Sequence, residues 1–69
     1  MADVLFSTAI WDAAYDDLME TLLITFKSDG TRYSYADVPN DVFSGLMAAD
    51  SAGRYFNFNI RNNYSYQRL

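Results

Sequence analysis

Sixty-nine residues make one domain, 1–69, and a chain of this length buries only about 60% of the surface its unfolded form exposes, so its large apolar side chains are needed inside. An apolar fraction of 51% with six Tyr, five Phe and Trp11 is enough for a packed core and too much for disorder, while the lack of cysteine and histidine removes disulfides, the usual zinc ligands and the commonest general base. The net charge of −4 is unevenly spread: Met1 to Asp50 carries all nine acids against Lys27 and Arg32 (−7), and Ser51 to Leu69 carries Arg54, Arg61 and Arg68 with no acid (+3). That polarity suits an anion bound at the C-terminal part, and equally suits arginines meeting the protein's own carboxylates or those of a second copy. No basic leader precedes an apolar run and no stretch approaches the roughly 20 apolar residues of a membrane span, so the expectation is a cytoplasmic protein without membrane contact.

Val4, Phe6, Thr8 and Ile10 alternate with Leu5, Ser7 and Ala9, which predicts an edge strand over 4–10. The less regular stretch from Trp11 to Asp17 either continues it or turns. Asp12, Asp16 and Asp17 are the one carboxylate cluster worth testing for a metal, but they lack the ligand series, central glycine and closing glutamate of a calcium loop. An acid-rich turn is the expectation, with no metal and no cofactor. Thr21 to Phe26 holds the densest aliphatic run, with Leu22, Ile24 and Phe26 on one face, and reads as the central strand. Lys27-Ser28-Asp29-Gly30 supplies hairpin chemistry, and Thr31 to Ala36 returns as a third strand with Tyr33 and Tyr35 on one side. Those rings admit two uses, packing under helices or stacking on bases.

Pro39 ends the strand and suits a helix start, so a helix follows to about Ala49 with Val42, Phe43, Leu46 and Met47 as its apolar stripe. Gly45 within it predicts close approach of another element. Ser51 is placed to cap a second helix, expected to run to about Tyr64 because Phe56, Ile60 and Tyr64 recur every fourth residue. Arg54, Asn57 and Arg61 form a polar row on a neighbouring face, which Arg68 extends if helix persists. The closing segment 64–69 either lies extended along the sheet or frays.

The polar row, with Tyr55, Tyr64 and Tyr66 nearby, supplies planar forks for phosphate oxygens, amides for base edges and rings for stacking. The expected nucleic-acid or nucleotide contacts are therefore Arg54, Asn57, Arg61, Tyr55, Tyr64 and Arg68. From about Ser7 onward the chain resembles the KTSC domain, a short module at the C-terminus of some lysyl-tRNA synthetases and a free-standing small protein in bacteria and their phages. The resemblance rests on Tyr15-Asp16, Leu22 to Phe26, Gly30, Tyr33-Ser34-Tyr35, Val38-Pro39, Val42, Phe43 and Leu46, then Ala49 to Gly53, Tyr55-Phe56-Asn57 and Ile60-Arg61. It implies a compact α+β domain and a suggested role in binding RNA, without catalytic residues.

The expected fold is α+β, a three-stranded antiparallel meander followed by two helices on one face, with Phe26, Tyr35, Phe43, Leu46, Phe56 and Ile60 at its centre. The leading functional expectation is a non-enzymatic binding module of bacterial or phage origin for RNA or a phosphate-bearing nucleotide. The rival is a protein-interaction module, such as a phage product that inhibits a host factor through the acidic N-terminal half. Self-association as a homodimer is a further reading for so small and aromatic a chain. An enzyme is not expected, because no nucleophile–base pair or metal-ligand set can be assembled.

Overall fold

In the computed structural model, which describes residues 10–69, β1 (Ile10–Asp16), β2 (Thr21–Phe26) and β3 (Arg32–Tyr35) form an antiparallel meander. Two helices follow, α1 (Asn40–Ala48) and α2 (Ala52–Asn59), and β4 (Tyr66–Arg68) returns to pair antiparallel with β3. The result is one sheet of order β1-β2-β3-β4 with both helices on one face, the α+β arrangement expected, plus a fourth short strand. Of the edge strand expected over 4–10, only Ile10 falls within the described residues, and it opens β1.

Register decides which side chains meet the helices. Tyr15 pairs with Leu22 and Leu22 with Tyr35, while Ala13 pairs with Ile24 and Ile24 with Tyr33, so these residues share the covered face. Asp12, Ala14, Thr25, Leu23, Arg32 and Ser34 share the other. A bulge between Ile10 and Asp12 changes the phase of β1: Ile10 opposes Phe26 and is buried, while Trp11 is left 67% exposed.

Leu22, Ile24, Val38 and Ile60 are fully buried, with Leu46, Tyr35 and Phe56 only slightly less so. Burying each of the aliphatic side chains contributes roughly 1.5–3 kcal/mol, so these few residues supply most of what holds a domain this small together. Phe56 meets Phe26 and Tyr35 edge to face, at 5.5 and 5.4 Å between ring centroids, which fixes α2 over β2 and β3. Phe26 and Phe43, expected at the centre, are half-buried and pack against it. Gly45 receives the phenol end of Tyr55: a Cβ there would lie 2.7 Å from Tyr55 Cζ, so the two helices need a glycine to come this close.

The turns are built by the acids. Asp16 Oδ1 accepts from the Leu18 and Met19 N–H groups at 3.0 and 3.2 Å, and Asp17 Oδ1 accepts from Asn40 Nδ2 at 3.3 Å. These carboxylates serve a turn, and among the described residues no group of three or more acids could hold a metal ion. The β1–β2 turn is tied to the entry of α1: the Val38 N–H donates to the Glu20 carbonyl at 2.8 Å, and the Tyr15 hydroxyl donates to the Val38 carbonyl at 2.6 Å. Tyr15 also stacks on Phe43 at 4.8 Å. Gly30, at φ 72°, makes the left-handed step that closes the β2–β3 hairpin.

The second helix is shorter than its four-residue apolar spacing predicts. Ser51 caps it as expected, its Oγ accepting from the Arg54 N–H at 3.3 Å, but it stops at Asn59 and not at Tyr64. The Ile60 and Arg61 N–H groups both donate to the Phe56 carbonyl at 2.9 Å, while the Asn59 and Asn63 amides bond the Tyr55 and Asn59 carbonyls at 3.2 and 2.9 Å. Asparagine side chains compete for backbone groups, and several close together favour a terminus over further helix. Phe56 and Ile60 keep the core face, whereas Tyr64 leaves the helix and Arg68 lies in β4.

Candidate functional site

Phe56 of α2 packs on Phe26 of β2 and Tyr35 of β3, whereas Tyr66 on β4 stays largely uncovered. Pairing brings Tyr66 opposite Tyr35 and Arg68 opposite Tyr33 on that uncovered part. Backbone bonds from the Ala36 N–H to the Ser65 carbonyl and from the Leu69 N–H to the Arg32 carbonyl, both 2.9 Å, flank these positions. Both pairs are thus of the non-hydrogen-bonded type, in which side chains approach most closely. Tyr66 lies 5.7 Å from Tyr35 and 5.4 Å from Tyr33, ring to ring, so three phenols form one patch.

The turn after α2 drops Arg61 and Asn62 onto the rim of this patch. Together with Tyr33, Tyr35 and Tyr66 they line a groove of about 250 Å³ that contains no carboxylate. Tyr35 forms its floor at 3% exposure and Tyr66 its outer wall at 60%. Burial raises the Tyr35 hydroxyl above its ordinary pKa, with Tyr33 and Tyr66 adding to the rise and the Arg61 guanidinium opposing it. The groove offers phenol hydroxyls, an amide and a guanidinium, groups that donate hydrogen bonds to an anion. A second concavity, about 170 Å³ between β1 and the helices, is lined by Ile10, Trp11, Ala13, Leu46, Met47 and Ala52 with the carboxylate of Asp12, and it holds no cationic side chain.

The structure brings some of the expected contacts together and separates others. Arg61 is in the groove, and Asn57 stands behind it, accepting from Arg61 Nη1 at 3.4 Å, so that Asn57 orients the cation. Arg68 reaches the same sheet face through β4 but does not line the groove. Arg54 is exposed in the first turn of α2, seven residues before Arg61, and does not line the groove. Tyr55 is half-buried against Gly45, and Tyr64 packs half-buried against the core. Asn62 is the contact that sequence spacing misses. Tyr33 and Tyr35 pack through their rings, the first of their two expected uses, and also line the groove.

A small α+β module with an open, aromatic and cationic sheet margin is the class these features define. The KTSC domain model matches residues 6–64, and the chain belongs to the KTSC domain family. It is 43% identical over 51 residues to a protein of Tsukamurella paurometabola, covering 74% of this chain and 75% of that one. An uncharacterized protein of Stutzerimonas stutzeri is 36% identical over 64 residues, 91% of this chain and 89% of its own. The crystal structure of the KTSC domain protein YPO2434 from Yersinia pestis superposes with a TM-score of 0.85 at 29% identity, covering 90% of this chain and 86% of that one.

Proposed function

We propose that the protein is a non-enzymatic cytoplasmic binding module that captures single-stranded RNA, or a smaller phosphate-bearing nucleotide, in the groove at Arg61. The observation that carries this reading is the groove's composition: one guanidinium, one amide and three phenols, with no carboxylate, in a protein of net charge −4. Arg61 offers a planar fork to phosphate oxygens, and Asn57 holds it in place. Tyr66 exposes a ring on which a base can stack, an interaction worth about 1–3 kcal/mol per base. The acids elsewhere repel phosphate at long range, but screening at physiological salt reduces their reach to about 8 Å.

Titrating short unstructured RNA and mononucleotides against the wild type, Arg61→Ala and Arg54→Ala tests the assignment. Arg61→Ala is expected to weaken binding and Arg54→Ala to leave it nearly intact, with affinity falling as salt rises. Equal losses for the two variants would remove the groove as the site.

A second reading, docking of a protein partner through the acidic half, has its own support. The β1–β2 turn exposes Leu18 at 92% and Met19 at 67% beside Asp16, Asp17 and Glu20, an apolar tip among carboxylates. If a stoichiometric partner is recovered from bacterial lysate after nuclease treatment, and Leu18→Ser abolishes its capture, this reading gains over the first.

A further inference from the structure

We propose, building on the nucleic-acid reading above, that the Arg61 groove is a phosphomonoester site, which takes the terminal phosphate of an RNA end or of a mononucleotide in preference to an internal diester. At about 250 Å³ the groove falls below the roughly 300–1,000 Å³ of pockets that enclose a drug-sized ligand, so it holds a compact group and not a whole nucleotide. Its donors come from three separate places: Tyr33 and Tyr35 on β3, Tyr66 on β4, and Arg61 and Asn62 on the turn after α2. An internal diester offers two non-bridging oxygens and must leave room for chain on both sides. A terminal phosphate offers three oxygens and a second negative charge, and it enters end-on, as a floor formed by the nearly buried Tyr35 requires.

The second charge gives the test a clean readout. A phosphomonoester takes up its last proton near pH 6, whereas a diester stays singly charged throughout. The groups that face the groove are the Tyr33, Tyr35 and Tyr66 phenols and the Arg61 guanidinium, with Arg68 and Asp29 beyond Tyr33. Phenols and guanidinium groups ordinarily change charge well above neutral pH. Asp29 is held below its ordinary carboxyl value. A change in affinity between about pH 5 and 7.5 therefore belongs to the ligand.

The experiment compares four probes on the full chain at fixed ionic strength: a short RNA with a 5′-phosphate, the same RNA with a 5′-hydroxyl, a nucleoside 5′-monophosphate, and inorganic phosphate. The phosphorylated RNA is expected to bind about tenfold or more tightly than its hydroxyl counterpart at pH 7.5, with the advantage shrinking towards pH 5 as the second charge is lost. Tyr35→Phe, which keeps the ring packed on Phe56, is expected to reduce the advantage, as is Arg61→Ala, while Arg61→Lys restores part of it. A mononucleotide binding as tightly as the phosphorylated RNA assigns the site to free nucleotides, weaker mononucleotide binding assigns it to RNA ends, and both support the proposal. Inorganic phosphate binding alone would overturn both claims. Equal affinity for the two RNAs, independent of pH, would overturn the phosphomonoester assignment while leaving RNA binding in place. No binding by any probe would overturn both.

Discussion

Leu22 and Tyr66 occupy the same face of one sheet, on β2 and β4, and have opposite surroundings: Leu22 is fully buried under the helices, and Tyr66 is 60% exposed beside a groove. Between them lies Tyr35, paired with both, whose ring packs on Phe56 while its surface forms the groove floor. The face thus grades from aliphatic to phenolic to cationic within three strands. What the gradient teaches is that one short helix sets the boundary between core and site, because the sheet extends one strand beyond what α2 covers. A tyrosine suits that boundary, since its ring accepts burial while its hydroxyl still requires a polar partner.

The most severe way to test this division is Leu46→Ala in the closed half. It is expected to cost about 2–5 kcal/mol, enough to leave a domain of this size largely unfolded, and urea denaturation would show it. Tyr15→Phe follows: the buried Val38 carbonyl loses its 2.6 Å donor, and the melting temperature should fall by an amount equivalent to about 1–3 kcal/mol. In the open half, Arg61→Ala should leave stability within about 0.5 kcal/mol and yet lower affinity for phosphate-bearing RNA roughly tenfold. If Arg61→Ala destabilised the fold as much as Leu46→Ala, the separation of core from site would be lost. Gly30→Ala probes neither half, and the left-handed φ of 72° predicts a loss of about 1 kcal/mol without any change in binding.

The smallest effect is a pH dependence. Hydrogen bonding to Thr31, first from its side chain and then from its N–H at 3.0 Å, with Arg68 adding, lowers the Asp29 pKa in the folded state. A lowered folded value means that its contribution is complete above the ordinary value of 3.8 and is lost as pH falls through the folded one. Asp29→Asn should flatten the acid limb of the stability profile below about pH 4. Tyr15 and Tyr35 act with the opposite sign: both are raised, Tyr15 by burial and then by Glu20, Asp17, Asp16 and Asp41, so the stability they contribute is lost as pH rises above 10. An ultraviolet titration would show these two phenols ionising above the ordinary phenol value.

Much of this organisation is legible in the residues themselves. The alternation of Leu22, Ile24 and Phe26, the Asp29-Gly30 turn, the proline before α1, the Ser51 cap and the glycine at the α1–α2 contact are short-range signals, and each lies where local spacing places it. The candidate site was legible only in part. Arg61 and Arg68 carry the right chemistry, but the helical spacing that groups Arg61 with Arg54 does not group it with Tyr33 or Tyr66. Asn62 has no periodic signature and enters the groove because the helix ends before it.

By itself the sequence determined the central hairpin, the two helices that follow it and part of the core, since hydrophobic period, caps and turn residues act over a few positions. The tertiary structure decided three things that no local period contains. A bulge turned Ile10 inward and Trp11 outward, because strand phase is fixed by the partner across the ladder. The asparagines ended α2 at Asn59 despite the apolar repeat running on to Tyr64. The freed C-terminal segment then paired with β3, and that pairing placed Tyr66 beside Tyr35 and Arg68 opposite Tyr33, across some thirty residues of intervening chain.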